Sequence, residues 1–262
     1  MTRPTMATRV PRGSAPLAAY VLHRYDWSES SLILDLFTRE QGRLAVVAKG
    51  AKRPHSQLRA VLLPFQRVNV NLGRALRDDA AASEVQTLRG AEWAGGAAML
   101  TGAALFSGFY LNELLMKLLA RHDPHPALFD AYAGTLPALA ASDELDVQAA
   151  LRAFELILLQ QVGVLPELSV VTLTQQALLS DARYALLPDS GVVGAPDAED
   201  PLSGEALTGL QAALEHGSLP ALQYACRPCL AALKAGLRGL IQNQLGSATL
   251  RTRRVMLELQ GL

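Results

Sequence analysis

The apolar residues of the first ninety positions fall into five short runs with partial alternation, the pattern of half-buried β-strands. The runs cover residues 17–25, 30–39, 42–50, 65–73 and 83–90. Between the third and fourth runs, "SQLRAVLLPF" predicts a helical turn that begins with Ser56 as N-cap and ends at Pro64. Three strands, a short helix and two strands follow each other in the order of an OB barrel, although other small barrels also have five strands.

From residue 94 onward, the spacing of apolar residues changes to that of helices. Helices are predicted over 97–121, 126–141, 146–162, 202–216, 219–242 and 247–259. In the third of these, Leu151, Phe154, Leu158 and Val162 line one face. The stretch 166–200 lacks this period, and "ARYALLPDSGVVGAPDAED" indicates a small hairpin or an ordered loop.

These patterns predict an α+β protein with an N-terminal five-stranded OB-fold β-barrel and a mainly α-helical C-terminal domain. We expect a disordered tail at 1–15, the barrel at 16–91, and the helical domain at 92–262 with an irregular insert at about 166–200. The longest apolar stretch, 97–121, contains Glu113, Lys117 and Arg121. Charges cost about 2.5–3.5 kcal/mol each at a bilayer centre, so this stretch predicts a buried helix and no membrane partner.

Composition narrows the class of protein. Half of the 262 residues are apolar and 18% are charged, which favours a packed core over disorder. Two cysteines exclude a disulfide scaffold and fit a reducing compartment, and the N-terminus lacks the apolar region of a signal peptide. We therefore expect a cytoplasmic protein.

The formal net charge of zero conceals two unequal parts. Residues 1–90 contain 14 Lys and Arg against 7 Asp and Glu, whereas the rest of the chain contains 10 against 17. A basic barrel joined to an acidic helical domain indicates two surfaces with different partners.

The densest cation cluster lies in "VAKGAKRPHSQLR", residues 47–59, which has no acidic residue. OB barrels bind single-stranded nucleic acid through a basic groove and aromatic side chains on which bases stack. The candidate DNA-binding residues are Lys49, Lys52, Arg53 and Arg59, extended by Arg39, Arg43, Arg67 and Arg74. The alternative interpretation is a solvated loop. Of the nearby aromatics, we expect Phe37 and Phe65 in the core, which leaves Tyr25 and Trp27 for stacking.

Motifs for bond chemistry are missing from the sequence. Cys226 and Cys229 form a C-x-x-C without a second pair of ligands, so buried helical thiols are favoured over zinc. His122 and His125 lie in a proline-containing loop, which explains them more simply than a metal site does. No Walker loop, G-x-S-x-G or H-E-x-x-H occurs. We expect neither an enzyme nor a bound cofactor or metal.

The chain resembles the RecO family of bacterial recombination mediators. The similarity lies in "YDWSESSLILDLFTREQGRLAVVAKGAKR", "LLPFQRVNVNLG", "SGFYLNELLMKLL", "LRAFELILLQQVG" and the closing "LRTRRVMLEL". The resemblance implies an OB barrel followed by a helical domain. It also implies binding of single- and double-stranded DNA, annealing of complementary strands, association with the nucleoid, and cooperation with RecR in loading the RecA recombinase onto strands coated by single-strand binding protein.

The resemblance also implies roles for particular residues. It assigns "AKGAKR", with Lys49, Lys52 and Arg53, to DNA binding. It places Arg152 of "LRAFEL" where the family receives the acidic, hydrophobic C-terminal tail of single-strand binding protein. We expect Phe154 and Arg121 to be further contacts of this peptide. Without this resemblance, we would interpret Arg152 as an exposed arginine whose aliphatic stem covers part of the core.

The chain departs from the family pattern in two places. Some members carry a four-cysteine zinc module after "QVG", and here 166–200 contains no cysteine. The hairpin before the last barrel strand, "LGRALRDDAAAS", is long and carries Asp78 and Asp79 near the basic strip. The rival function is a non-enzymatic adaptor whose basic barrel binds an acidic protein partner.

Overall fold

The N-terminal part of the computed structural model is a closed five-stranded barrel. The structure describes residues 15–73, 85–96, 99–141, 143–246, 250–252 and 254–255. The strands are β1 (Leu17–Asp26), β2 (Leu32–Thr38), β3 (Gly42–Ala48), β4 (Gln66–Leu72) and β5 (Val85–Gly96), and helix α1 (Leu58–Val61) lies between β3 and β4. Their order around the barrel is β1-β2-β3-β5-β4, with β3 and β5 parallel. The predicted OB architecture is confirmed.

Two details of the barrel differ from the sequence prediction. Helix α1 begins after Gln57, and Ser56 makes no capping hydrogen bond; only its carbonyl accepts, from the backbone N–H of Arg59. Strand β5 continues to Gly96, five residues beyond the position where we expected the barrel to end.

The two faces of β1 pack into different cores. Ala19 and Val21 point into the barrel, whereas Tyr20 and Leu22 point outward against the helical domain. Because side chains alternate along a strand, a strand that is buried on both faces has a nearly continuous apolar sequence.

The C-terminal part is helical with a small sheet inserted. Its helices are α2 (Gly102–Leu118), α3 (Pro126–Leu139), α4 (Glu144–Gln161), α5 (Gly204–His216), α6 (Leu219–Cys226) and α7 (Leu230–Leu245). A 3-10 turn at Arg227–Cys229 splits the helix predicted at 219–242, because Pro228 cannot continue α6. The insert forms the sheet β7-β6-β8 from β6 (Arg183–Leu187), β7 (Gly191–Gly194) and β8 (Leu202–Ser203), so the expected hairpin is present.

An aromatic cluster joins the barrel to α3. Ring centroids lie 5.0–6.3 Å apart in this cluster, mostly edge-on or tilted, a favourable packing for aromatic pairs. The cluster comprises Tyr20, Phe37, Phe129 and Tyr132. The Tyr132 hydroxyl donates to Asn112 Oδ1 at 2.5 Å, and Asn112 Nδ2 donates to the carbonyl of Leu22 in β1 at 2.9 Å.

Arg43 fastens the barrel to the end of α2. Its Nε and Nη2 donate to the two carboxylate oxygens of Asp35, both at 3.0 Å, while Nη1 donates to the carbonyls of Met116 and Leu119. The side chains of Arg43 and Asp35 are 11% and 3% exposed. Arg43 thus satisfies carbonyls at the C-terminus of α2 and lies at the negative end of its dipole.

Gly42 allows the close approach on which this contact depends. Its φ is +68°, and a Cβ there would lie 2.0 Å from the carbonyl oxygen of Asp123. The backbone N–H of His122, the residue before Asp123, donates to the carbonyl of Arg43, the residue after Gly42, at 3.0 Å. Only glycine fits between these two backbones.

Several predicted features lie outside the described residues. These are the tail up to residue 14, the hairpin with Asp78 and Asp79, and most of the helix predicted at 247–259, of which 251–252 and 254–255 are helical. Within the described ranges, no helix has both the length and the hydropathy needed to cross a membrane.

Glu113 anchors the C-terminal segment to α2. Its carboxylate accepts from the backbone N–H of Arg251 at 2.8 Å and from the N–H and hydroxyl of Thr252 at 2.9 and 2.7 Å. Lys117 Nζ lies 3.2 Å away. Burial by itself would raise the pKa of Glu113, but these hydrogen bonds outweigh it and hold the pKa below its ordinary value.

We expect Glu113→Gln to lower stability at neutral pH and to lose this effect in acid. A lowered pKa contributes stability that is present above the ordinary value of 4.5 and disappears as the pH falls through the lowered value. Urea unfolding midpoints of the wild type and the variant should therefore differ at pH 7 and converge as the pH falls from 4.5 through the lowered pKa. A difference that stays constant over this range would contradict the role given to the ionised carboxylate.

Candidate nucleic-acid interface

Four cations gather where β3 leads into α1. Lys49 directly follows β3, Lys52 and Arg53 lie in the next turns, and Arg59 is on α1. Lys49, Arg53 and Arg59 are exposed, and within the described part of the chain their side chains make no hydrogen bond or ion pair. We call Lys49, Lys52, Arg53 and Arg59 the basic end of the barrel. Three of the four charges point into water without a partner, an arrangement suited to phosphate.

The loop that carries these cations is held by the connection between β1 and β2. The backbone N–H of Lys52 donates to the carbonyl of Ser30 at 2.9 Å, and Lys52 Nζ donates to the carbonyl of Ser28 at 2.9 Å. Lys52 Nζ also lies 3.1 Å from Asp26 Oδ1, whose side chain is 81% exposed. An exposed pair of this kind is weak, so a phosphate can replace Asp26 as the partner of Lys52.

Exposed aromatic rings lie at the same end. Tyr25 is 47% exposed near the end of β1, and Trp27, which follows the strand, is 64% exposed. Phe37 and Phe65 are 0% and 4% exposed, so the prediction that they belong to the core is confirmed. Trp93 on β5, which the sequence did not single out, is also 64% exposed, but it pairs with Val68, which in turn pairs with Ala19, six residues before Tyr25, so it lies away from this end.

A cavity of about 430 Å³ opens beside the basic end. Its polar lining consists of Arg24, Asp26, Lys52 and Arg59. Arg24 Nη1 donates to the carbonyl of Leu62 at 3.4 Å, which turns the guanidinium toward α1. Sequence reasoning missed Arg24 because it lies inside a strand run, thirty-five residues before Arg59.

The other predicted DNA-binding residues are not part of this surface. Arg39 forms a bidentate pair with Asp130, at 3.0 and 2.9 Å, and Arg43 is enclosed at the junction described above. Arg67 pairs in register with Tyr20, beside the helical domain. Six residues of strand separate Arg43 from Lys49, about 20 Å at 3.3 Å per residue. Arg74 lies outside the described residues.

The three residues predicted to bind a peptide do not form one site. Phe154 is 0% exposed and its ring packs edge-on against Tyr132 at 6.1 Å. Arg121 lies at the barrel junction, 3.9 Å from Asp35. Arg152 is buried on α4 and points elsewhere. Residues two positions apart on a helix point to nearly opposite sides, so Arg152 and Phe154 cannot contact the same side of one peptide.

Arg152 belongs to a buried polar cluster. Its Nη2 donates to Glu155 Oε1 at 2.6 Å, and the Tyr110 hydroxyl donates to the same oxygen at 2.7 Å. Burial raises the pKa of Glu155, and the charge of Arg152 opposes that shift only in part. The Nε of Arg152 has no hydrogen-bond partner within the described structure.

The remaining candidate ligands stay apart from the basic end. Cys226 is buried and Cys229 half-buried, and burial raises the pKa of both thiols, that of Cys229 to about 11. Such thiols are poor nucleophiles and poor metal ligands at neutral pH. His125 Nε2 lies 3.2 Å from Asp123 Oδ2. Among the described residues, no three His, Cys, Asp or Glu side chains are grouped to hold a metal ion.

Both halves of the chain match models of one protein family. The family model "Recombination protein O N terminal" matches residues 16–94, and "Recombination protein O C terminal" matches residues 99–254. Proteins named DNA repair protein RecO are similar throughout. Those of Variovorax paradoxus (strain S110) and Verminephrobacter eiseniae (strain EF01-2) are each 52% identical, over 254 and 246 residues. Both alignments cover 93% of this chain and 96% of the relative.

Proposed function

Because this chain belongs to the RecO family of recombination and DNA repair proteins, we propose that it is a mediator of DNA repair and homologous recombination. It binds single- and double-stranded DNA, anneals complementary strands, and works with RecR to load RecA onto strands coated by single-strand binding protein. Such a role requires holding and releasing strands, and no bond is made or broken.

The observation that carries this proposal is the basic end of the barrel. Lys49, Arg53 and Arg59 are exposed without partners, Lys52 has only a weak one, and Tyr25 and Trp27 provide exposed rings beside them. Cations and rings together are what a single strand contacts on an OB barrel. Since these cations reach phosphates and not base edges, binding is expected for every sequence. Arg39, Arg43 and Arg67 are left out of the proposed surface for the geometric reasons given above.

The junction between barrel and helices gives this surface a fixed frame. The Arg43–Asp35 pair, the carbonyls at the end of α2 and the aromatic cluster all hold the two parts together. A strand on the barrel and a protein on the helical domain would therefore keep a constant separation. This constancy favours delivery of a strand to a partner.

We place the tail of single-strand binding protein on the helical domain. A carboxylate-ended, apolar peptide needs a cation beside an apolar surface. Arg152 has one unused donor, but it is buried and paired with Glu155. Binding at Arg152 therefore requires the Arg152–Glu155 pair to open, with the peptide carboxylate taking the place of Glu155.

The proposed function predicts annealing of coated strands. Two complementary oligonucleotides saturated with single-strand binding protein should form duplex faster when the purified protein is added. The acceleration should fall when the coating protein lacks its C-terminal tail, because the contact with the helical domain is then lost. Duplex formation can be followed by energy transfer between dyes on the two strands. An unchanged rate with intact coating protein would contradict the mediator role.

The tail site predicts opposite effects of two substitutions. We expect Arg152→Ala to weaken binding of a fluorescent tail peptide at least tenfold, as for loss of one buried charge pair. Glu155→Gln should strengthen binding, because it removes the competing carboxylate. Arg227→Ala, which removes an exposed arginine of the same domain, is the matched control and should bind normally. If Arg152 had only a structural role, both Arg152→Ala and Glu155→Gln would bind the peptide more weakly than the wild type.

A further inference from the structure

The cavity beside the basic end has an apolar floor that phosphate binding does not use. The floor is formed by Leu32, Ala51, Leu58 and Leu62. Ala51 and Leu62 are buried, whereas Leu32 and Leu58 remain half-buried at the opening. Cations alone would be enough to bind a sugar–phosphate backbone. An apolar floor under a cationic rim therefore indicates a ligand with an apolar body as well as negative charge.

The size and lining of the cavity fit one such ligand. Sites for small organic groups occupy about 300–1,000 Å³ and combine apolar walls with a few polar groups, and this cavity measures about 430 Å³. A nucleobase has two flat apolar faces and is linked to phosphates on both sides. In a single strand these faces can be uncovered, whereas in a duplex they are stacked and paired.

We infer that this cavity receives one unstacked base of a single DNA strand. The base lies against Leu32 and Leu58, and the flanking phosphates lie on Arg24, Lys52 and Arg59. This inference rests on the proposed function and deepens it, since it separates two kinds of contact. The cations bind single strands and duplexes alike, and the cavity adds affinity for single strands only.

The cavity accepts a base without identifying it. Its floor is aliphatic and contacts the face of a base, which all four bases share. The carboxylate of Asp26 is the one acidic group in the lining, and its side chain is 81% exposed, so it stays in water when Lys52 turns to a phosphate. A base in the cavity therefore adds affinity in a sequence-tolerant way.

The first test compares two single strands that carry the same phosphates. One is a short oligothymidine, and the other is an abasic strand of equal length, both measured by fluorescence anisotropy at one salt concentration. The wild type should bind the base-bearing strand about tenfold more tightly, the scale of one base–side chain contact. Equal affinities for the two strands would overturn the inference.

The second test fills the cavity. Leu58→Trp should abolish the preference for the base-bearing strand and leave the affinity for the abasic strand and for duplex unchanged. Leu173→Trp, at a leucine of the helical domain that is 79% exposed, adds the same indole elsewhere and should keep the preference. A preference that survives Leu58→Trp but disappears in Tyr25→Ala with Trp27→Ala would assign it to surface stacking and overturn the cavity site.

A third test uses the unaltered protein, so that it does not depend on folding of Leu58→Trp. A single 2-aminopurine in the strand should fluoresce more strongly when bound, because aliphatic walls replace its stacked neighbours. Unchanged or quenched fluorescence would contradict the cavity site. Failure of the proposed function is distinguishable, since it would abolish binding of the abasic strand and of duplex as well.

Discussion

Replacement of Lys49, Lys52 and Arg53 together by alanine should remove most of the affinity for single-stranded DNA. At least a tenfold loss is expected at moderate salt, because three of the four cations of the basic end would be absent. Each phosphate contact contributes about 0.7 to the log–log salt slope of single-strand binding, so the slope should become shallower by about 2. The measurement is a set of anisotropy titrations at several salt concentrations. The loss should be similar for oligonucleotides of different sequence.

A control with the same loss of charge separates local contacts from net charge. Arg183, Arg227 and Arg238 are exposed on the helical domain, and replacing all three by alanine changes the net charge equally. This variant should bind DNA nearly as well as the wild type. Equal losses in both variants would mean that overall charge, and not the basic end, determines binding.

Replacement of Arg43 by methionine should destabilise the protein more than loss of any exposed ion pair. The substitution leaves Asp35, which is 3% exposed, as a buried carboxylate without its two hydrogen bonds, and it uncaps α2. Breaking a buried pair by removing one partner costs about 3–5 kcal/mol. Arg121 lies 3.9 Å from Asp35, too far to replace those hydrogen bonds. Urea unfolding midpoints give the change in the free energy of unfolding.

Two further variants control this prediction. Arg39→Ala breaks an exposed pair with Asp130 and should leave the unfolding midpoint nearly unchanged. Arg43→Lys keeps the charge but lacks the planar fork, so it should recover only part of the lost stability. Folded Arg43→Met should still bind DNA, because Arg43 is at the far end of the barrel. A wild-type midpoint for Arg43→Met would contradict its role at the junction.

Most of the barrel was predictable because its elements are local. The five apolar runs, the turn residues between them and the short helix lie in sequence order, and the residue types of each run identify it as a strand. Closure of the barrel through the parallel pair β3 and β5 depends on contacts between distant residues. We underestimated the length of β5 because the small and polar residues of "AEWAGG" do not resemble a strand. Pairing with β4 extends β5 as far as Gly96, which lies opposite Gln66.

The candidate DNA-binding surface could be proposed from the sequence where charges are neighbours along the chain, and not where folding decides whether a charge is paired. Lys49, Lys52 and Arg53 lie within five residues and form one surface. Arg39 and Arg43 carry the same charge, but Asp130 and Asp35 neutralise them across distances that no local pattern reveals. Arg152 illustrates the same limit. Its partner Glu155 is only one helical turn away and visible in the sequence, but the burial of Arg152 depends on the surrounding helices, which the local sequence does not reveal.

The most direct test of the account is the salt dependence of single-strand binding by the unaltered protein. If the basic end and Arg24 together neutralise four or five phosphates, the plot of log affinity against log salt concentration should have a slope of about −3 to −3.5. The same slope should be found for strands of different sequence. Absence of binding at low salt would contradict the account, and the cations at residues 49–59 would then belong to a surface for an acidic protein partner.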